Sequence, residues 1–137
     1  MAHWLVKSEP EAWSWADHVK RGVEPWNGVR NFQAAKNLKA MQKGEQAFFY
    51  HSGEDRAIVG VLEVVKTYYP DPTDRTGRFG MVDFRAVRPL KAPVTLAAIK
   101  AEPKLVHLAL VRQSRLSVMP IDDPSWALIC KMGGIAP

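Results

Sequence analysis

A single cysteine, Cys130, stands in 137 residues. An internal disulfide is therefore excluded, and too few thiolates remain for a Cys-based zinc site. A reducing compartment is the expected setting. The four histidines, His3, His18, His51 and His107, fall at no metal-ligand spacing, so no metal and no other cofactor is expected. No stretch approaches the roughly 18 apolar residues of a membrane span. The opening Met1-Ala2-His3-Trp4-Leu5-Val6-Lys7 has neither the basic segment nor the long apolar run of a secretory leader, and a cytoplasmic location is expected. Dinucleotide fingerprints, phosphate-binding loops, nucleophile elbows and zinc-protease helices are all missing. No catalytic residue is assigned.

What is present suits one folded domain spanning residues 1–137, expected to be a monomer. Hydrophobic residues make up 47% and charged residues 24%, enough apolar material for one core. The formal net charge of +5 and a pI near 9.5 suit a polyanionic partner, because Lys and Arg displace counterions from phosphates. Many basic proteins carry such a charge without binding nucleic acid.

The pattern along the chain mixes strands and helices. His3–Lys7 reads as an opening strand. Ser8-Glu9-Pro10-Glu11 has the form of a capping box, followed by a helix through Trp13, Ala16 and Val19 that Gly22 stops. Asn31 is a candidate N-cap for a second helix, in which Phe32, Ala35, Leu38 and Met41 form an apolar stripe opposite Lys36, Lys39 and Lys43, with Gly44 at its end. Strands are expected at 46–51, 57–65, 81–87 and 116–119, with Gly60 marking a bulge or a close backbone approach. Residues 70–77 read as a polar loop. Thr95 caps a short helix through Ile99, and Asp122 or Asp123 caps a final one that points Trp126, Ile129 and Cys130 inward. The class is α+β with a curved, barrel-like sheet.

Four groups of residues carry potential chemistry, each beside an ordinary structural role. Trp26, in the stretch Trp26-Asn27-Gly28-Val29-Arg30-Asn31, sits outside any apolar periodicity and is available for stacking, or it plugs the core. Asn31 offers the donor and acceptor groups that suit a base edge, or it caps the helix. His51 and Ser52 close a strand beside Gly53, where pockets form and where solvated junctions also look alike. Arg112-Gln113-Ser114-Arg115-Leu116-Ser117 suits phosphate contacts through bidentate arginine, or is a charged surface strand. Lys36, Lys39 and Lys43 suit a nucleic-acid backbone, or are the wet face of an amphipathic helix.

The segments Trp4-Leu5-Val6-Lys7-Ser8-Glu9-Pro10, Trp26-Asn27-Gly28-Val29-Arg30-Asn31, Tyr50-His51-Ser52 and Arg115-Leu116-Ser117-Val118 resemble, in matching order, the hallmark stretches of the EVE-domain family. That family is similar to the PUA-like group, which includes the YTH and ASCH domains. The resemblance implies a small, bent, mixed β-barrel flanked by helices, and binding of DNA or RNA that carries a modified base, with the base turned out into a pocket near the barrel. It implies that Trp26 stacks on the base, that Asn31 and Ser8 read its edge, and that His51 and Ser52 line the pocket. Arg115 and Ser117 are implied at the rim or on the flanking sugar-phosphate. By their charge, Arg30, Lys36, Lys39, Lys43 and Arg112 are expected positions for the phosphate backbone.

Two functions of different class remain from the sequence. One is a non-catalytic reader of a modified base. The other is a hydrolase or nuclease acting on RNA or nucleosides, with His51 and Lys7 or Glu9 as acid and base. A small-ligand sensor would use the same pocket without its basic rim. A nucleophile or metal set would favour the enzyme, and the sequence shows neither.

Overall fold

Trp4, Leu5 and Val6 are buried in succession, as an internal strand covered on both faces requires. They belong to β1 (His3–Ser8), which pairs in parallel with β3 (Gln46–His51) and antiparallel with β6 (Val118–Ile121). The computed structural model describes residues 1–137. Its strand order is β2-β5-β4-β3-β1-β6, one mixed six-stranded sheet, with helices packed around it in an α+β arrangement. The sheet is open: β2 (Val23–Pro25) and β6 are its free edges, so the expected barrel does not close. β2 is three residues long and ends in proline, which blunts that edge against further pairing.

β4 (Ala57–Pro70) and β5 (Gly80–Thr95) run well past the apolar segments that announce them. The expected strands stop at Val65 and Val87, yet pairing with the partner strand carries the ladder on to Pro70 in β4 and Thr95 in β5. Four irregularities interrupt their register, the kind of bulge that bends a strand. Gly60 sits at one of them. A side chain there would meet the Trp15 ring at 2.6 Å, so the glycine lets that indole lie directly on the strand.

The first helix departs from expectation. α1 covers Trp15–Arg21, and its capping box is Ser14 with Asp17, six residues beyond the one that Ser8 suggested. Ser8 is still the last paired residue of β1, opposite His51, and residues 9–13 form a turn. Val19 is 52% exposed, and the inward position is taken by His18.

α2 (Phe32–Ala40) is capped by Asn31, whose side-chain oxygen accepts the Ala34 N–H at 2.9 Å. Ala34, Ala35 and Leu38 bury its inner face, while Phe32 is 67% exposed and leans on Phe79 at 5.0 Å. α2 ends at Ala40, with Met41 as its C-cap, so Gly44 lies in the following turn. α3 (Leu96–Ala101) starts at Thr95, α4 is Ala109–Arg112, and α5 (Asp123–Met132) starts at Asp122. Trp126, Ile129 and Cys130 face inward from α5. β6 lies two residues beyond the expected strand, because its pairing to His3–Val6 begins at Val118. No helix is long and apolar enough to cross a membrane.

Candidate functional site

At the C-terminal end of β1 a cleft of about 320 Å³ opens between β1, the turn before α1 and the end of β2, close to the lower limit for ligand pockets. Trp13 and Trp26 form aromatic walls, and Lys7, Ser8, Glu24 and Asn27 supply its polar groups.

Trp26 follows β2, and its N–H still bonds the Val82 carbonyl at 2.8 Å. Only 7% exposed, it meets the Phe49 and Phe84 rings edge-on at 5.4 and 5.8 Å. It is a core residue whose free margin faces the cleft. Trp13 is the more exposed of the two. Its indole N–H donates to His18 Nδ1 at 3.0 Å, and His18 Nε2 in turn donates to the Phe84 carbonyl at 2.9 Å. Because an indole can only donate, His18 is the neutral Nε2–H tautomer. Burial lowers its pKa, against the opposing pull of the Phe84 carbonyl and the Glu24 charge. A buried, uncharged histidine thus holds the outer tryptophan at a fixed angle.

The turn below Trp13 is tied by Ser8, whose hydroxyl donates to the Trp13 carbonyl at 2.6 Å. The Ser8 oxygen keeps only acceptor capacity toward the cleft. Lys7 Nζ donates to the Ser114 carbonyl at 3.0 Å and lies 5.6 Å from the Tyr50 ring centroid. Burial lowers its pKa, and its remaining N–H donors are uncommitted. The Asn27 side chain is exposed and makes no hydrogen bond within the protein.

The loop carrying Asn27 is held from behind by Asp71. Gly28 adopts a left-handed φ of 82°, which a residue with a side chain takes only at a cost. Its N–H donates to Asp71 Oδ2 at 2.8 Å. The other carboxylate oxygen accepts the N–H and hydroxyl of Thr73 at 2.8 and 2.6 Å. Arg30 completes the clamp, with Nη1 on Asp71 at 3.1 Å and Nη2 on the Thr73 hydroxyl at 2.9 Å. Burial alone would raise the Asp71 pKa, but these donors outweigh it and hold the carboxyl at about 2. Arg30 is therefore engaged in loop structure.

A second groove of about 320 Å³ holds Asn31, Gln33, Arg112 and Arg115. It adjoins the cleft through Lys7, whose side chain reaches Ser114 and whose backbone N–H donates to the Ser117 carbonyl at 2.9 Å. Arg112 and Arg115 are exposed and make no ion pair.

Of the residues the sequence singled out, Ser8 and Trp26 lie in the cleft, and Asn31, Arg112 and Arg115 share the adjacent groove. His51 and Ser52 sit behind Ser8, the Ser52 N–H bonding the Ser8 carbonyl. His51 Nε2 accepts the Trp15 N–H at 3.0 Å, which leaves Nδ1–H to donate to Asp55 at 3.2 Å. Both ring nitrogens are occupied, one at the start of α1 and the other in the turn after β3. Lys36, Lys39 and Lys43 are exposed but line neither cavity, and Lys39 lies 5.4 Å from the Tyr68 ring centroid. Trp13, Glu24 and Asn27 were not apparent as site residues. The best signal for Asn27 was its place beside a non-periodic tryptophan and before a glycine.

Residues 2–132 match the EVE domain. The chain is 32% identical to human thymocyte nuclear protein 1 over 96% of its length and 73% of that protein's. A Rhodopseudomonas palustris protein solved by NMR is 54% identical, with a TM-score of 0.92 over 98% of this chain and 94% of its own. The crystal structure of the human THYN1 protein in complex with 5-methylcytosine containing DNA superposes with a TM-score of 0.90 at 31% identity, covering 100% of both chains. With residues 2–132 matched and these relatives aligned over nearly its whole length, the chain belongs to the EVE-domain family.

Proposed function

We propose that the protein binds DNA carrying a modified base without catalysing a reaction, and that the base, turned out of the stack, enters the cleft between Trp13 and Trp26. The carrying observation is the pairing of two surfaces. An aromatic cleft sized for one small planar ligand adjoins a groove with two unpaired arginines, Arg112 and Arg115. Turning a base out costs a few kcal/mol, and stacking on an aromatic side chain returns about 1–3 kcal/mol. Asn27 and the Ser8 oxygen face the edge of the ring, and Arg112 and Arg115 hold the flanking phosphates. Lys36, Lys39 and Lys43 add non-specific attraction to the polyanion. The human THYN1 complex with 5-methylcytosine containing DNA supports the same ligand class.

In the hydrolase or nuclease alternative His51 is to act with Lys7 or Glu9, and His51 has neither ring nitrogen to spare for it. His51, Ser52 and Asp71 serve the site by fixing the backbone around it.

Fluorescence anisotropy on oligonucleotides that differ only in one central base tests the proposal. Affinity is expected to depend on that base. Arg112→Ala and Arg115→Ala should weaken all oligonucleotides alike, each reducing the slope of log K against log salt by about one unit as one phosphate goes unneutralised. Mass spectrometry after prolonged incubation should find the oligonucleotides intact. Products that vanish with His51→Ala would overturn the non-catalytic reading.

A further inference from the structure

Glu24 is an odd occupant of a cleft beside a basic groove. It lies in β2, opposite Phe84 of β5, and lines the cavity with Trp13 and Trp26. Its side chain is only 23% exposed, yet neither carboxylate oxygen receives a hydrogen bond. Its one charged neighbour is Arg21 Nε at 3.4 Å, on a side chain 68% exposed. The Trp13 indole donates to His18, and His18 Nε2 to the Phe84 carbonyl, so neither serves Glu24. Half-buried, with no hydrogen bond from the protein, this acceptor lines the cleft and is open to a donor on a ligand.

We propose that Glu24 sets the class of base the cleft accepts: one bearing an exocyclic amino group, as cytosine and adenine do, over a keto base such as thymine or uracil. The inference rests on the reading that the cleft receives a base. An ionised carboxylate only accepts hydrogen bonds, and its natural partner on a base edge is an amino group such as cytosine N4. Thymine or uracil turns a carbonyl oxygen to the same place, so two acceptors meet and neither is satisfied. The same charge turns phosphate away from the cleft and toward Arg112 and Arg115. Lys7, with only donors to offer, suits a ring nitrogen or carbonyl acceptor elsewhere on the ligand.

The decisive pair is 5-methylcytosine against thymine at one position of an otherwise identical single strand. Both carry the 5-methyl group and differ in the amino or keto edge, and a single strand removes any difference in base-pairing cost. An abasic strand gives the background. The 5-methylcytosine strand is expected to bind roughly tenfold to a hundredfold more tightly than the thymine strand. Glu24→Gln, which keeps the side-chain size and offers donor and acceptor alike, should bring the two within about threefold. Equal binding of the two strands by the unaltered protein, above the abasic strand, overturns the role of Glu24 and leaves base binding standing. A ratio that survives Glu24→Gln in a folded variant also overturns it. Binding of both strands at the abasic level overturns the base-binding reading, and this inference with it.

Discussion

Each end of β1 opens into a cavity, and the two teach different things. At Lys7 and Ser8 lies the aromatic cleft of about 320 Å³. At Ala2 and His3, roughly 17 Å away along the strand, lies a larger groove of about 530 Å³ at the start of α5. The larger one holds two histidines and two aspartates, which in a sequence would attract attention first. Its polar groups are matched to one another. His107 Nε2 meets Asp122 Oδ1 at 2.8 Å, His3 Nδ1 meets Asp123 Oδ1 at 3.0 Å, and the Ser125 hydroxyl donates to Asp122 at 2.8 Å. Asp122 is also the N-cap of α5. In the smaller cleft Asn27 and Glu24 have no hydrogen-bond partner, and Lys7 keeps donors to spare. Unspent hydrogen-bonding capacity beside an aromatic surface, more than volume, marks the place for a ligand.

The sharpest way to break this contrast is Trp26→Ala. Emptying a site packed against Phe49 and Phe84 should cost about 3–5 kcal/mol of stability and abolish base-dependent binding, as read by urea denaturation and oligonucleotide titration. Unchanged affinity in the folded fraction would make Trp26 a core residue only.

Next in size is Asp71→Asn, which removes the charge holding the Asn27 loop. A loss on the order of 2–3 kcal/mol is expected, typical for hydrogen bonds to a buried charge. The carboxyl is held at about 2, below its usual value near ~3.9. Its contribution is therefore full above about pH 4 and is lost as pH falls toward 2. Acid titration of stability should show a component in that window that disappears in Asp71→Asn. Curves that coincide would remove Asp71 from the account.

The groove should answer differently. Asp122→Ala is expected to cost about 1 kcal/mol, the usual loss of an N-cap, with oligonucleotide affinity unchanged. His107→Ala, at an exposed pair, should stay within about 0.5 kcal/mol and also leave affinity unchanged. A fall in affinity from either would move the ligand to the wrong end of β1.

Much of this architecture was legible from residue pattern. The buried runs of β1, β3 and β4, the caps at Asn31, Thr95 and Asp122, and the close approach at Gly60 all follow from local chemistry. The first capping box did not, because Ser8-Glu9-Pro10-Glu11 and Ser14-Trp15-Ala16-Asp17 look alike locally. Only the pairing of Ser8 with His51 across the sheet decides between them. The cleft was half legible: Trp26 stood out by breaking periodicity, whereas Trp13 was hidden in a helical reading. Asn31 drew the role of edge reader, yet its oxygen is spent on Ala34 N–H and it lines the adjacent groove, whereas the amide in the cleft is Asn27, four residues earlier. Glu24 gave no signal, since a carboxylate on a short edge strand is ordinary until it is seen to line the cleft with no hydrogen bond.

The central claim is that the base enters at the Lys7 end of β1, and the tryptophan indoles report on it directly. Trp13 and Trp26 wall the cleft, whereas Trp126 is stacked between Phe48 and His3, at 3.8 and 4.3 Å, beneath the other end of the strand. Heteronuclear NMR titration with an oligonucleotide carrying one 5-methylcytosine should shift the indole N–H resonances of Trp13 and Trp26 and leave that of Trp126 in place. Movement of Trp126 with Trp13 and Trp26 unmoved would contradict the account.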